Sequence, residues 1–225
     1  YMSDLSLWGG ESGGIYRAKT VNPKGNSMDL SEDEAFKSFI YSTDESDYDY
    51  EFPFYRWSVE IDRESFGGHI NQYLKLRHAS DSGNILMKNA NGEYETCDEP
   101  YIGELLAFET VERTTSGAVR KIIIHGTAGD VMVCGELNIR YVLGPGDEKI
   151  TTHTQTDTTF EFLPSAYIYI EELYEDGAVT GYRITGGGYG HGIGMSQNAV
   201  SAMVKQGMRY DDILEFFYNN IDIMN

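Results

Sequence analysis

The chain has 225 residues, enough for one large domain or two small ones, with a hydrophobic fraction of 40% and a charged fraction of 24% that are ordinary for a globular protein. Its 17 basic and 36 acidic residues give a net charge of −19, which argues against nucleic acid and against an anionic membrane surface as partners. The two cysteines, Cys97 and Cys134, leave room for one disulfide but for no zinc motif, and no apolar run approaches the roughly 18 residues of a membrane span.

Residues 1 to 29 read as irregular. Gly9, Gly10, Gly13, Gly14 and Pro23 break any period, with Trp8 and Tyr16 as anchors. Ser31-Glu32-Asp33-Glu34 has the form of a capping box, Ser at the cap and Glu three residues on, and it predicts a short helix that buries Ala35, Phe36, Phe39 and Ile40. Residues 42 to 51 carry Asp44, Glu45, Asp47, Asp49 and Glu51. The segment lacks the central Gly and terminal Glu of a hand-type calcium loop, so a solvated acidic loop is the reading preferred to a calcium site.

Tyr55-Arg56-Trp57-Ser58-Val59-Glu60-Ile61 alternates as a half-buried strand does. Phe66, Ile70, Tyr73 and Leu74 recur at helical spacing between Ser65 and Leu76, and the polar stretch 78–100 reads as loops. Leu105 to Glu112 and Val119 to His125 flank Thr115-Ser116-Gly117 and predict a hairpin. A turn at Ala128-Gly129-Asp130 leads into Val131 to Cys134, then a short helix from Gly135 ends at a glycine cap, Gly144. After a Thr-rich segment (151 to 159), Ala166 to Leu173 and Ala178 to Thr185 form a second hairpin about Glu175-Asp176-Gly177. Two helices close the chain, one from about Gln197 to Gln206 and one from about Asp211 to Asn219. Strands arriving as hairpins rather than βαβ units predict an α+β fold of mostly antiparallel strands with short helices, with 1–225 as a single domain.

Between the last predicted strand and the helix at Gln197 lies Thr185 to Gln197, in which six of thirteen residues are glycine. Ordering six glycines costs entropy, so the run needs a reason, and a loop folded tightly on a ligand supplies one. The run lacks the spacing of a dinucleotide fingerprint, the Lys of a phosphate loop, and the second glycine that a serine nucleophile elbow needs around Ser196. His191, between two glycines, is the candidate for chemistry. Ser196 is either a helix cap or a group facing a cleft, and Tyr189 is either a stacking platform for a sugar or a plug under the loop.

Gly186-Gly187-Gly188-Tyr189-Gly190-His191-Gly192-Ile193-Gly194-Met195-Ser196-Gln197 closely resembles the signature of the stage II sporulation protein D / amidase-enhancer family. The resemblance continues through Ala199, Ala202, Met203, Gln206-Gly207 and Tyr210 to Tyr218. It reaches back to Gly126, Gly129, Gly135-Glu136, Ile139-Arg140 and Leu143-Gly144, and at the front to Asp4-Leu5-Ser6-Leu7-Trp8-Gly9-Gly10. It implies a peptidoglycan lytic transglycosylase that cleaves between N-acetylmuramic acid and N-acetylglucosamine in cell-wall remodelling or sporulation, and it implies an extracytoplasmic place. The alternative is a non-catalytic peptidoglycan-binding or amidase-activating module.

The implied partners are glycan strands and other cell-wall hydrolases, with no cofactor. His191 would support the chemistry, while Gly188, Tyr189, Gly190, Gly192, Ser196 and Gln197 would hold the glycan. The family's catalytic glutamate belongs to an N-terminal helical region that nothing here matches, so Glu34 and Glu136 do not inherit the role. The family's zinc ligands find no match either. With Tyr1-Met2-Ser3-Asp4 lacking the charged-then-apolar grammar of a natural start, the native protein is expected to begin upstream and to carry the acid there.

Overall fold

The computed structural model describes residue 15, residues 19–25 and residues 27–224. Trp8, Tyr16, the first four glycines and the segment 4–10 lie outside the described residues. In chain order the elements are α1 (Asp33–Tyr41), β1 (Trp57–Asp62), α2 (Arg63–Asp81), β2 (Ile85–Lys88), β3 (Tyr94–Glu95), β4 (Leu105–Arg113), β5 (Val119–Gly126) and β6 (Val131–Cys134). There follow α3 (Glu136–Val142), β7 (Ile150–Thr152), β8 (Asp157–Thr158), β9 (Ile168–Glu175), β10 (Ala178–Gly186), α4 (Gln197–Lys205) and α5 (Tyr210–Phe217). The fold is α+β, with two five-stranded sheets ordered β8-β7-β1-β10-β9 and β3-β2-β6-β5-β4. Every pairing in both sheets is antiparallel.

Helix α2 joins the two sheets into one core. The Asp62 side chain caps it, accepting from the amides of Glu64 (2.9 Å) and Ser65 (3.0 Å). Phe66, Ile70 and Leu74 then point inward and are fully buried. They meet Val59, Ile61, Tyr182 and Ile184 of the first sheet and Ile122, Ile124, Val131 and Val133 of the second. Each such side chain contributes about 1.5–3 kcal/mol by leaving water.

The helix runs past the predicted Leu76 because polar tertiary bonds take over where the apolar period stops. Arg77 Nε donates to Asn138 Oδ1 (2.8 Å), and Asn138 Nδ2 donates to Asp81 Oδ2 (2.8 Å). Nor is 78–100 loop throughout: Ile85 is buried and pairs with Val133, so this short polar-flanked run forms β2 against β6.

Other expectations are corrected. The cap of α1 is Glu32, with no side-chain cap bond. Ser31 turns back instead, its hydroxyl donating to Asp29 (2.6 Å). Helix α3 is capped by Leu143, and Gly144 is not left-handed. A glycine is needed there for space, since a Cβ would meet the Glu161 carbonyl at 2.7 Å and the His69 ring at 2.9 Å. Cys97 and Cys134 are free thiols.

Two smaller clusters complete the interior. Leu30, Phe36, Ile40, Ala118 and Tyr167 seat α1 on the chain beside β5 and β9. Val21, Ala199, Met203, Ile213 and Phe217 form a separate cluster that holds α4 and α5 together. Arg56 closes the far end of α1. Its Nε donates to the Ile40 carbonyl (2.8 Å) and its Nη2 to those of Phe39 (3.3 Å) and Ser42 (3.0 Å). A cation thus sits where the helix dipole is negative.

Candidate functional site

Strand β10 delivers the glycine loop. It lies between β1 and β9, and its register against β1 sets Gly186 opposite Trp57. A Cβ on Gly186 would fall within the indole ring of Trp57, so only glycine lets the two strands stay paired here. The indole Nε1 then donates to the Gly188 carbonyl (3.1 Å), tying the loop to β1.

The next residues are held by backbone bonds to two other segments. Gly187 N donates to Tyr167 O (3.1 Å), Gly188 N to Phe54 O (2.7 Å) and Gly190 N to Pro164 O (2.8 Å). The buried Ser165 hydroxyl donates to Gly187 O (2.7 Å). Gly188, Gly190, Gly192 and Gly194 all have positive φ, so the chain coils at every second residue instead of extending. At Gly192 a side chain is doubly barred, because its φ is +69° and a Cβ would strike the Tyr167 phenol.

The coiled loop forms one wall of a cavity of about 380 Å³. Gly188, Tyr189, Gly190, His191, Gly192, Ser196 and Gln197, the residues named from the sequence, all line it. Tyr189 packs under the loop and is also open to solvent. Its ring rests on Phe54 (5.1 Å between centroids) and Phe160 (5.8 Å), yet the residue is 55% exposed. His191 is exposed, and its Nδ1 accepts from the Ile193 amide (3.0 Å), so the proton of a neutral ring is on Nε2. Ser196 also does two things. It caps α4 by accepting from the Ala199 amide (3.2 Å), and its hydroxyl donates to Asp49 (3.1 Å to Oδ1).

The cavity is also lined by groups that the sequence reading left aside. Asp47 and Asp49 both line the cavity and are half-buried, so the stretch 42–51 is not simply a solvated loop. Asp47 is anchored by Asn22 Nδ2 (2.8 Å) and by the Tyr55 hydroxyl (2.6 Å). Burial, with that bond to Asp47, pushes the Tyr55 phenol up to about 12. Burial also raises the Asp49 carboxyl, against the Ser196 hydrogen bond, which works the other way. Arg56 lines the same cavity, its guanidinium over the rings of Phe39 and Tyr55, and burial pulls it below the usual arginine range.

Glu34 and Glu136 stand elsewhere. Glu34 is exposed on the first turn of α1, and Glu136 is buried in an ion pair with Arg140 (2.6 Å). Among the described residues no group of three or more His, Cys, Asp or Glu side chains is arranged to hold a metal ion, and no helix is long and apolar enough to cross a membrane.

One family model matches the chain, over residues 13–194, with the description "Domain of unknown function (DUF8618)". The match takes in both sheets and the loop as far as Gly194, and ends before Ser196, Gln197 and the two closing helices. No curated protein matches the chain.

Proposed function

We propose that this chain, which belongs to the DUF8618 family, is a peptidoglycan-acting domain that binds glycan strands and cleaves them as a lytic transglycosylase does. The observation that carries the reading is the composition of one cavity. A hydrogen-bond-pinned glycine loop presents His191, Ser196 and Gln197, an exposed tyrosine sits on two phenylalanines, and a half-buried carboxylate faces the same space. An open ring face suits the apolar face of a sugar, and an imidazole Nε2–H suits a sugar hydroxyl or acetamido oxygen. A lytic transglycosylase needs one carboxylic acid and no activated water, unlike a hydrolase with two spaced carboxylates.

The chain's strong negative charge favours a substrate bound through stacking and hydrogen bonds over one bound through phosphate. The wall placement, extracytoplasmic setting and partnership with other wall hydrolases belong to the same proposal. A second reading, a glycan-binding module without chemistry of its own, is favoured by one observation. No glutamate lines the cavity among the described residues.

The test is incubation of the protein with purified glycan strands, followed by co-sedimentation and mass spectrometry. Strand binding with 1,6-anhydromuramyl ends is the expected outcome. Binding without such ends selects the module, and no binding removes both readings. His191→Ala is expected to weaken binding or turnover by about tenfold, equivalent to about 1.4 kcal/mol, with the melting curve unchanged. Unaltered binding and turnover would return His191 to a structural role.

A further inference from the structure

We propose that the cavity selects a glycan in which one sugar carries a free amino group in place of an acetamido group, with the Asp49 carboxylate holding that group as its ammonium. The inference rests on the glycan reading of the cavity and names which glycan it takes. The cavity, at about 380 Å³, lies within the usual range of small-ligand pockets, about 300–1,000 Å³. Its acidic and basic lining residues are Asp47, Asp49, Arg56 and His191.

The two carboxylates are engaged differently. Asp47 accepts from Asn22 Nδ2 and from the Tyr55 hydroxyl, and it shares its field with the Arg56 guanidinium. Arg56 is otherwise spent on the backbone, donating to the carbonyls of Ile40, Tyr55, Phe39 and Ser42. Asp49 accepts from one donor, the Ser196 hydroxyl, at 3.1 and 3.3 Å to its two oxygens. It makes no ion pair among the described residues. A carboxylate has about four acceptor positions, so one shared hydroxyl leaves room for further donors. A charge held half out of water is stabilised by a partner of opposite sign.

Two contacts favour the ionised form of Asp49. The Ser196 hydroxyl accepts from the Ala199 amide, which turns its own proton to the carboxylate. The nine-residue helix α4 begins at that serine, so its positive end lies on the same side. The same cavity holds the Tyr189 ring, seated on Phe54 and Phe160 and open to solvent. A pyranose stacked on that ring presents its substituents to the polar lining. An ammonium brings three donors and a charge to a carboxylate, and such charge-assisted bonds are about twice as strong as neutral ones. An acetamido group brings one N–H, with a carbonyl oxygen that the carboxylate repels.

The experiment measures affinity for two soluble probes, a tetramer of β-1,4-linked glucosamine and its fully N-acetylated counterpart, by calorimetry. The wild-type chain is expected to bind the amino form at least tenfold more tightly. Asp49→Asn is expected to lose that preference while it still binds the acetylated tetramer and melts as the wild type does. Glu45→Gln removes the same charge from an exposed side chain of the same loop, outside the cavity lining, and is expected to keep the preference. Equal wild-type affinities overturn the inference and leave the glycan reading intact. So does a preference that survives Asp49→Asn, or one that Glu45→Gln removes equally, which would assign it to overall charge. Displacement of the amino tetramer by a lysine-bearing stem peptide at equal concentration also overturns it, since the cavity would then read an amine without its sugar. Binding of neither tetramer, nor of purified glycan strands, sinks the glycan reading itself. Should Asp49→Asn not fold, the wild-type chain is titrated in buffers of different ionisation enthalpy, at a pH where the free amine is half-protonated. Proton uptake on binding is expected, and its absence would overturn the inference.

Discussion

At the scale of single residues, the site depends on places where nothing may be added. Gly186 faces the Trp57 ring across the β1–β10 pairing, with no room for a methyl. Gly186→Ala is expected to cost about 1–3 kcal/mol, the usual toll of forcing bulk into packed interior. Urea unfolding would measure it, and an unchanged midpoint would mean that the strands part without penalty. That these glycines needed a reason was legible, since six in thirteen residues is dense and entropy opposes ordering them. The surroundings of Asp49 were not. Five acids in ten residues look alike along the chain, and Asp49 is singled out by a partner 147 positions away. Ser196 was read as either cap or cleft group, and it is both, because one hydroxyl can accept from an amide while donating to a carboxylate.

At the scale of elements, apolar period and turn residues were enough to find β1, both long hairpins and the buried face of α2. They did not find β2, whose four residues are a strand only because β6 offers Val133 and Met132 as partners. They also misjudged the start of α1, where Ser31 prefers its neighbour Asp29 to the helix amides. The end of α1 carries a separate prediction. Arg56 donates to the carbonyls of Ile40, Phe39 and Ser42, so Arg56→Met takes a donor from each, though Phe39 keeps the Ser42 amide and hydroxyl, and removes a cation from the negative pole. The expected loss is about 2–3 kcal/mol in chemical denaturation, with glycan binding weakened as the cavity wall loosens. A loss below about 0.5 kcal/mol, typical of a surface change, would deny the cap its role.

At the scale of the whole molecule, the hairpin-built α+β fold was legible from strand order, while the division into two sheets around α2 was not, since sheet membership is a long-range property. The core also sets an alkaline limit. Tyr55 and Tyr182 are buried phenols, each raised from an ordinary 10.0 to about 12, mainly by burial. Between those values the unfolded chain gives up protons that the folded one keeps, so stability present below pH 10 declines as pH rises toward 12. The loss is expected to be about 2 kcal/mol per tyrosine. Melting curves across that range should fall steadily, and phenolate absorbance from the two residues should appear only with unfolding; a flat profile would contradict it. The small cluster of Val21, Ala199, Met203, Ile213 and Phe217 has a different consequence. Val21 and the partly buried Tyr48 pack into this satellite core, so α4 and α5 are tied to the segment that carries Asp47 and Asp49. Weakening the cluster is therefore expected to loosen the Ser196–Asp49 bond and one wall of the cavity, and a ligand held there to oppose the loss by mass action.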